Sequence, residues 1–530
     1  MTRYVMVADL ERCVGCQTCT AACRHANATS PAVQWRKVLD IESGVFPNVS
    51  RVFVPVGCQH CADPPCMHVC PTTATRQRPD GIVTIDYDIC IGCAYCDVAC
   101  PYQARFKIDA PRFAYGQAAL ESEIERDDPR RLGVAQKCTF CSDRVDFGRE
   151  HGLTPGLDPR ATPACVNACI ADALHFGDID DPDSNVSRLL RDQQSFRMHE
   201  ELGTEPGFYY VYGKAGSAQP SNPPSAPVRA EAGQVRSRGV EPWHQQHWDW
   251  KAAANFICGG AGAGLFVVSA LASLRGGPMP AIGFFALGLV ALGLFTLLFK
   301  IGRPWRSLHV LRQPQRSWMS REAWIAVAFF PLAAVASWLG EPVLLMAAAA
   351  LGLLFVFSQA MILKEAKGIP AWRVAAIVPL IVSTGLAEGA GLLLMATSAW
   401  PELKPLAEPT AAAAVLLSAV RSWTWQTYRT TLAITGAPTR ALAAIDRYRA
   451  VFFVVGLAGP VLLIVAGFIA TSAAPLLFAL GGACVLAAGS GLKFILVTRA
   501  GFNQGFALEH TPVRGAGAPG PAVKPGWGRP

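Results

Sequence analysis

Charge is scarce in this chain: only 16 % of its 530 residues are Asp, Glu, Lys or Arg. From about residue 252 charged residues nearly vanish from long stretches of Ala, Leu, Val, Gly and Phe, which excludes a wholly soluble protein. Residues 1–213 lack the converse feature and hold only short apolar runs, yet they carry sixteen of the 18 cysteines. Two further absences bound the chemistry. The 10 histidines (25, 60, 68, 151, 175, 199, 244, 247, 309 and 510) all fall outside the long apolar runs, so no bis-histidine membrane haem is expected. The opening MTRYVMVADL has no basic region followed by an apolar stretch, and no twin arginine, so no export signal is expected. Without export, a disulfide framework for the cysteines loses its setting.

What is present is a rhythm of cysteines. They form four groups: Cys13, Cys16, Cys19, Cys23; then Cys58, Cys61, Cys66, Cys70; then Cys90, Cys93, Cys96, Cys100; then Cys138, Cys141, Cys165, Cys169. In C-x₂-C-x₂-C-x₃-C the first three thiolates converge on one iron–sulfur cluster, and in two-cluster ferredoxins the fourth ligates the other cluster. Structural zinc is the competing reading of C-x₂-C pairs. Zinc does not require the x₂-x₂-x₃ rhythm, which appears here twice in full, nor the proline that follows the second and third groups as Pro71 and Pro101. Sixteen thiolates supply four [4Fe–4S] clusters with none left over.

The connections suggest the pairing. Groups two and three are joined by PTTATRQRPDGIVTIDYDI, with a PDG turn and an alternating strand, like the link within a two-cluster ferredoxin. They are expected to exchange fourth ligands, giving Cys58/Cys61/Cys66/Cys100 and Cys90/Cys93/Cys96/Cys70. Groups one and four then pair around the outside as Cys13/Cys16/Cys19/Cys169 and Cys138/Cys141/Cys165/Cys23.

With CVGCQTCTAAC, CQHCADPPCMHVCP, CIGCAYCDVACP and KCTFC…PACVNAC in place, residues 1–213 resemble the four-cluster electron-transfer subunit of the dimethyl sulfoxide reductase family of complex iron–sulfur molybdoenzymes. In some relatives one cysteine is replaced, giving a [3Fe–4S] centre; this chain keeps all sixteen. The resemblance implies a fold of two ferredoxin-like modules related by pseudo-symmetry.

Residues 214–250 read as a Pro/Ser/Ala linker and an interfacial segment, WHQQHWDW (243–250) bringing three tryptophans to the membrane boundary. Beyond it, spans are expected at 252–274, 279–299, 323–339, 342–363, 374–397, 410–428, 450–471 and 475–497, each near the roughly 20 residues that cross a bilayer. The fold class is therefore an α+β ferredoxin-like double module followed by an all-α eight-helix transmembrane bundle over 251–500, with a cytoplasmic tail at 501–530. Loops on the side of the cysteine-rich domain carry Lys300, Arg303, Arg306, Arg312, Arg316, Arg321, Lys364, Lys367, Arg373, Arg429, Arg440, Arg447 and Arg449, against Arg275 and Lys404 opposite. Thirteen against two orients the iron–sulfur domain to the cytoplasm of a bacterial inner membrane.

Without haem, electrons must enter or leave through a lipid-soluble carrier, so quinone or quinol is expected as an exchangeable substrate. Candidate contacts on the side of the cysteine-rich domain are Lys300, His309 and Arg421, with Lys493 at that depth and Trp423 and Trp425 as an aromatic lining; Glu388 is a further candidate that falls nearer the far face. Glu388 reads as the only carboxylate well inside a span. The bland readings are snorkelling for Lys300 and Lys493 and helix pairing for Arg421. GRPWR…SWMSRE and GFNQGFALEHTPVRG resemble the membrane anchor of the same family, whose members often have a His where this chain has Lys300. The resemblance implies a partner catalytic subunit holding a molybdenum or tungsten bis-MGD type cofactor, with sulfite or phenylacetyl-CoA oxidation as cytoplasmic examples, and no nucleic acid. Redox-driven ion translocation and a passive anchor serving a soluble carrier stand as rivals.

Overall fold

The computed structural model describes residues 2–31, 33–45, 48–116, 118–124, 128–214, 241–508, 524 and 526–527. The stretch expected as a tether falls almost wholly outside the described residues, as does most of the chain after 508. The chain divides into two units, Met1–Trp243 with Asn503–Gly526, and His244–Phe502 with Trp527–Pro530.

The first unit is organised by β1 (Tyr4–Asp9), whose run YVMVAD is buried along its whole length. Period-two alternation divides its side chains between two cores. Tyr4, Met6 and Ala8 enter the large core with Phe176, Phe208 and Tyr210, and Val5 and Val7 enter a smaller one with Val186 and Val211. Two hairpins follow in sequence, β2 (Arg36–Val45) with β3 (Asn48–Gly57) and β4 (Thr75–Gln77) with β5 (Val83–Ile85), and then a short pair, β6 (Phe106–Lys107) with β7 (Ala135–Gln136). The remaining strands, β8 (Leu174–Asp178), β9 (Gln193–Phe196) and β10 (Phe208–Lys214), join β1 in one sheet of order β8-β1-β10-β9. β1 runs antiparallel to β8, Tyr4 opposite Asp178, and parallel to β10, Met6 opposite Phe208. The unit's first and last strands are thus neighbours.

The cysteine loops repeat their backbone as well as their spacing. Gly15 and Gln17 lie at φ 71° and 62°, and Gly92 and Ala94, at the same offsets in group three, lie at 69° and 59°. Each loop needs this left-handed pair to turn its thiols inward before the following helix starts. A Cβ on Gly15 would also lie 2.4 Å from the Phe53 ring.

Residues 503–508 of the segment expected as a tail belong to the core of the first unit. Phe506 and Leu508 are buried there, and Asn503 Oδ1 accepts from the Trp243 N–H at 3.0 Å and from Gln103 Nε2 at 2.9 Å.

The second unit contains, among the described residues, 8 helices long and apolar enough to span a membrane: Trp250–Gly276, Pro280–Leu298, Trp318–Leu339, Pro342–Lys364, Ile377–Ala399, Pro401–Thr435, Thr439–Ile469 and Ala474–Thr498. The first and fifth cross at glycine. A Cβ on Gly264 would lie 2.0 Å from the Gly385 carbonyl oxygen, and one on Gly389 would lie 2.2 Å from the Gly264 carbonyl carbon. Small residues four apart on both helices allow this approach. The first and seventh spans each hold one π-helical segment, Asn255–Gly259 and Val454–Ala458.

The third span starts at Trp318 rather than 323, because its polar opening turns inward. Glu322 is therefore a second carboxylate buried inside a span, and Glu388 is not alone. Several charges expected in the third cytoplasmic-side loop sit on helices instead, Arg429 of the sixth span making a bidentate pair with Asp446 of the seventh at 2.7 Å.

Candidate metal centres

In the first unit the second and third cysteine groups cross over. Cys58, Cys61 and Cys66 line one cavity together with Cys100, the fourth member of the next group. Cys90, Cys93 and Cys96 line another together with Cys70. Each cavity thus has four thiols around it, drawn three and one from two sequence motifs.

The outer groups are also interleaved. Asn27 Nδ2 reaches the Cys23 sulfur at 3.8 Å and the Cys141 sulfur at 3.7 Å. Burial first, and then the neighbouring thiols of Cys138, Cys165 and Cys141, push the Cys23 thiol up. Cys19 stands beside Cys13 and is pushed up to about 11, chiefly by burial. The loops of Cys13 and Cys169 are tied through Asp9. The Cys13 N–H donates to the Asp9 carbonyl at 3.1 Å and the Asp9 N–H to the Ala173 carbonyl at 2.8 Å. The Ala173 N–H in turn donates to the Cys169 sulfur at 3.2 Å. Backbone N–H groups are similarly aimed at Cys138, from Phe140 at 3.4 Å, and at Cys70, from Thr75 at 3.5 Å.

These donors fit iron–sulfur clusters. A lone zinc ion gathers its thiolates within bonds of about 2.3 Å, whereas among the described residues no three His, Cys, Asp or Glu groups converge on a single-ion point. The thiols stand around cavities instead. Burial holds Cys138 and Cys100 at about 12 and Cys141 at about 11. Such thiols do not ionise unaided, so binding iron must release their protons.

Three buried cations accompany the cysteines: Arg36, Arg105 and Lys137. Arg105 Nη2 donates to the Cys66 sulfur at 2.8 Å. Sequence reasoning missed all three, since nothing in QWRKV, QARFK or AQKCTF distinguishes a buried cation from a surface one.

In the second unit, Glu388 and Lys493 form a fully buried ion pair at 2.5 Å. Arg421, also buried, donates to the Val485 carbonyl at 2.9 Å and to the Gly456 carbonyl at 2.7 Å. Gly456 lies in the π-helical segment of the seventh span, where broken α-helical bonding leaves a carbonyl for it. Trp423 and Trp425 do not form one lining: Trp423 is 70 % exposed, while Trp425 is 1 % exposed and stacks on Phe452. Lys300 lies just beyond the second span with its ammonium 4.2 Å from the Trp248 ring centroid, and His309 is half-buried in the 3₁₀ helix Pro304–Arg312. Glu322, missed because SWMSRE reads as loop, faces the side-chain amides of Gln359 and Asn255. One oxygen of each of these three side chains is buried without a hydrogen-bond partner.

Cysteine sets for iron–sulfur clusters followed by eight spans define a membrane-anchored electron-transfer protein. Comparison with known proteins agrees. Two models of a 4Fe-4S dicluster domain match residues 49–114 and 82–170, and the model of the DMSO reductase anchor subunit (DmsC) matches residues 245–420. A selenate reductase subunit of Mesobacillus selenatarsenatis is 40 % identical over 39 % of this chain and 72 % of its own length. A sulfite dehydrogenase subunit of Allochromatium vinosum is 38 % identical over 40 % of this chain and 83 % of its own. The arsenate respiratory reductase iron-sulfur subunit ArrB of a Shewanella species is 34 % identical over 39 % and 96 %. The chain belongs to this family of iron–sulfur electron-transfer subunits, joined here in one polypeptide to a multi-pass DmsC-type membrane anchor.

Proposed function

We propose that the chain relays electrons through four [4Fe–4S] clusters between a bis-MGD type molybdenum or tungsten catalytic subunit and the quinone pool of a bacterial inner membrane, its first unit facing the cytoplasm. The crossed cavities carry this reading. Four thiols around each of two similar spaces, three from one motif and one from the other, are what paired clusters require. The remaining eight cysteines support Cys13/Cys16/Cys19/Cys169 and Cys138/Cys141/Cys165/Cys23 as the outer pair. When bound, the clusters supply one-electron carriers; the protein supplies thiolates, N–H donors and an enclosure that excludes water. The reductase and dehydrogenase names of the relatives support a catalytic partner of that class, and the loop charges support the orientation.

For the quinone, the geometry redistributes the candidates. Glu388 and Arg421 are occupied by Lys493 and by backbone carbonyls, which favours a scaffolding role over quinone contact or a moving proton. Lys300 and His309 remain candidates for quinone contact, and the buried Glu322 is added to them. A quinol has two O–H donors, and Glu322, Gln359 and Asn255 present buried oxygen acceptors without donors. Quinol added to membranes should reduce the clusters, and a quinone-site inhibitor should abolish that reduction. Cluster reduction that ignores both quinol and inhibitor would sink the reading.

A further inference from the structure

Arg36 is 1 % exposed and has only neutral neighbours to bond. Its Nη2 meets the Met6 sulfur at 2.9 Å, its Cζ lies 4.9 Å from the Phe208 ring centroid, and its Nε and Nη1 are buried without a hydrogen-bond partner. Burying a guanidinium with no anion beside it is strongly unfavourable. The groups it faces that would turn negative as cluster thiolates belong to two different sets: Cys138, Cys165 and Cys23 from one, and Cys19 from the other. Lys137, wholly buried, donates its ammonium to the carbonyls of Val83 and Cys138. It faces Cys138 on one side and Cys58 and Cys66 on the other, again two sets, and Cys138 and Cys58 are themselves neighbours. Arg105 reaches the Cys66 sulfur at 2.8 Å and Thr75 Oγ1 at 3.0 Å. It faces Cys58, Cys66 and Cys100 of one set and Cys96 of the next, with the carboxyl of Asp97 also in its field.

The sets therefore fall in a row. First comes Cys13/Cys16/Cys19/Cys169, then Cys138/Cys141/Cys165/Cys23, then Cys58/Cys61/Cys66/Cys100, then Cys90/Cys93/Cys96/Cys70. We propose that Arg36, Lys137 and Arg105 occupy the three successive gaps in this row, and that their positive charges raise the reduction potentials of the clusters on both sides of each gap. The proposal rests on the four-cluster reading above.

The physical reason is short. Reduction adds one electron and one negative charge to a cluster, with no bond made or broken, and a cation held in a low-dielectric interior favours the more negative form. A charge placed between two carriers acts on both alike. It raises the pair against whatever lies at either end of the row while leaving the driving force across its own gap almost unchanged. Electrons then pass the gap readily in either direction.

Redox titration of the membrane-bound holoprotein, followed by EPR with iron content measured in parallel, tests this. Arg36→Gln should lower the reduced-to-oxidised ratio of the first two clusters at fixed potential by about tenfold, equivalent to about 59 mV for one electron, and leave the fourth cluster in place. Arg36→Lys should keep wild-type titrations. Arg105→Gln should move the third and fourth clusters, and Lys137→Met, with a stem of similar length, the second and third. Lys137→Met and Arg105→Gln carry the test independently should Arg36→Gln fail to assemble. A charge-removing variant with full iron and unchanged titrations overturns the proposal, as does Arg36→Lys shifting as far as Arg36→Gln. Fewer than four cluster signals in the wild type would instead defeat the cluster count on which the proposal stands.

Discussion

Cys23 distinguishes a crossed site from a local one. Its sulfur shares Asn27 with Cys141 and lies among Cys138, Cys141 and Cys165. Cys23→Ser is expected to damage the cluster of those three residues and spare that of Cys13, Cys16 and Cys19; EPR showing loss of the first group's centre would contradict the pairing. Glu388 makes the opposite kind of prediction, about stability. Removing one partner of a fully buried ion pair strands the other charge, at a cost of about 3–5 kcal/mol, whereas replacing both by apolar residues of similar volume is often neutral. Glu388→Ala should therefore lower the thermal stability of the detergent-solubilised protein far more than the double variant Glu388→Leu/Lys493→Met. The three-and-one grouping of thiols around the two cavities was legible from sequence because spacing of the C-x₂-C-x₂-C-x₃-C type turns the thiols of each loop together. Arg36, Lys137 and Glu322 were not, because burial of a charge depends on neighbours brought in from other elements, and a polar residue at the edge of an apolar run looks the same whether it faces water or a core.

Single elements show where periodicity is enough and where it fails. All eight spans were legible as apolar runs, for a bilayer sets their length. Their ends were less so: the third reaches back to Trp318 because Ser320 and Glu322 are buried inside the unit. The two π-helical segments leave no mark on hydropathy, since one extra residue in a turn changes hydrogen bonding and not composition. The crossing of the first and fifth spans is the element most sensitive to change. Gly264→Leu would place atoms where the Gly385 carbonyl already stands and must drive the helices apart. Since Glu388 lies on the fifth span between Gly385 and Gly389, the variant should also loosen the Glu388–Lys493 pair. The expected result is a protein with normal iron content, lowered thermal stability and reduced quinol-dependent cluster reduction; Gly288→Leu in the second span, whose Cβ position meets nothing within 4 Å, is the control.

At the scale of the whole molecule the two units owe their stability to different sources. The core of the first is built in part from the cysteines proposed to hold clusters, with Cys19, Cys23, Cys58, Cys138 and Cys165 among its buried members. Metal-binding energy is then folding energy. The cores of the second are Ala, Leu, Val, Ile and Phe packed between spans. Prolonged iron chelation under reducing conditions should unfold the first unit and leave the second helical, seen as protease sensitivity confined to residues 1–243 and 503–508 while the far-ultraviolet helical signal persists. Loss of both together would show that the units are not independently stable. Division into a redox part and a membrane part was legible from composition alone. The return of residues 503–508 to the first unit was not, because Phe506 and Leu508 are only two apolar residues in a polar run, too few to reveal a partner hundreds of residues away.

That return has a consequence for how the protein is made. Synthesis runs in sequence order, so strands β1 through β10 and all sixteen cysteines of the four groups emerge before the first span. Phe506 and Leu508 are translated after the eighth. The redox unit therefore waits for its last core residues until the entire membrane half has left the ribosome. A chain whose synthesis stops within the spans carries all sixteen cysteines of the four groups and still lacks the piece that closes its own core, so completion of the anchor and closure of the cysteine-rich unit become a single late event in biogenesis.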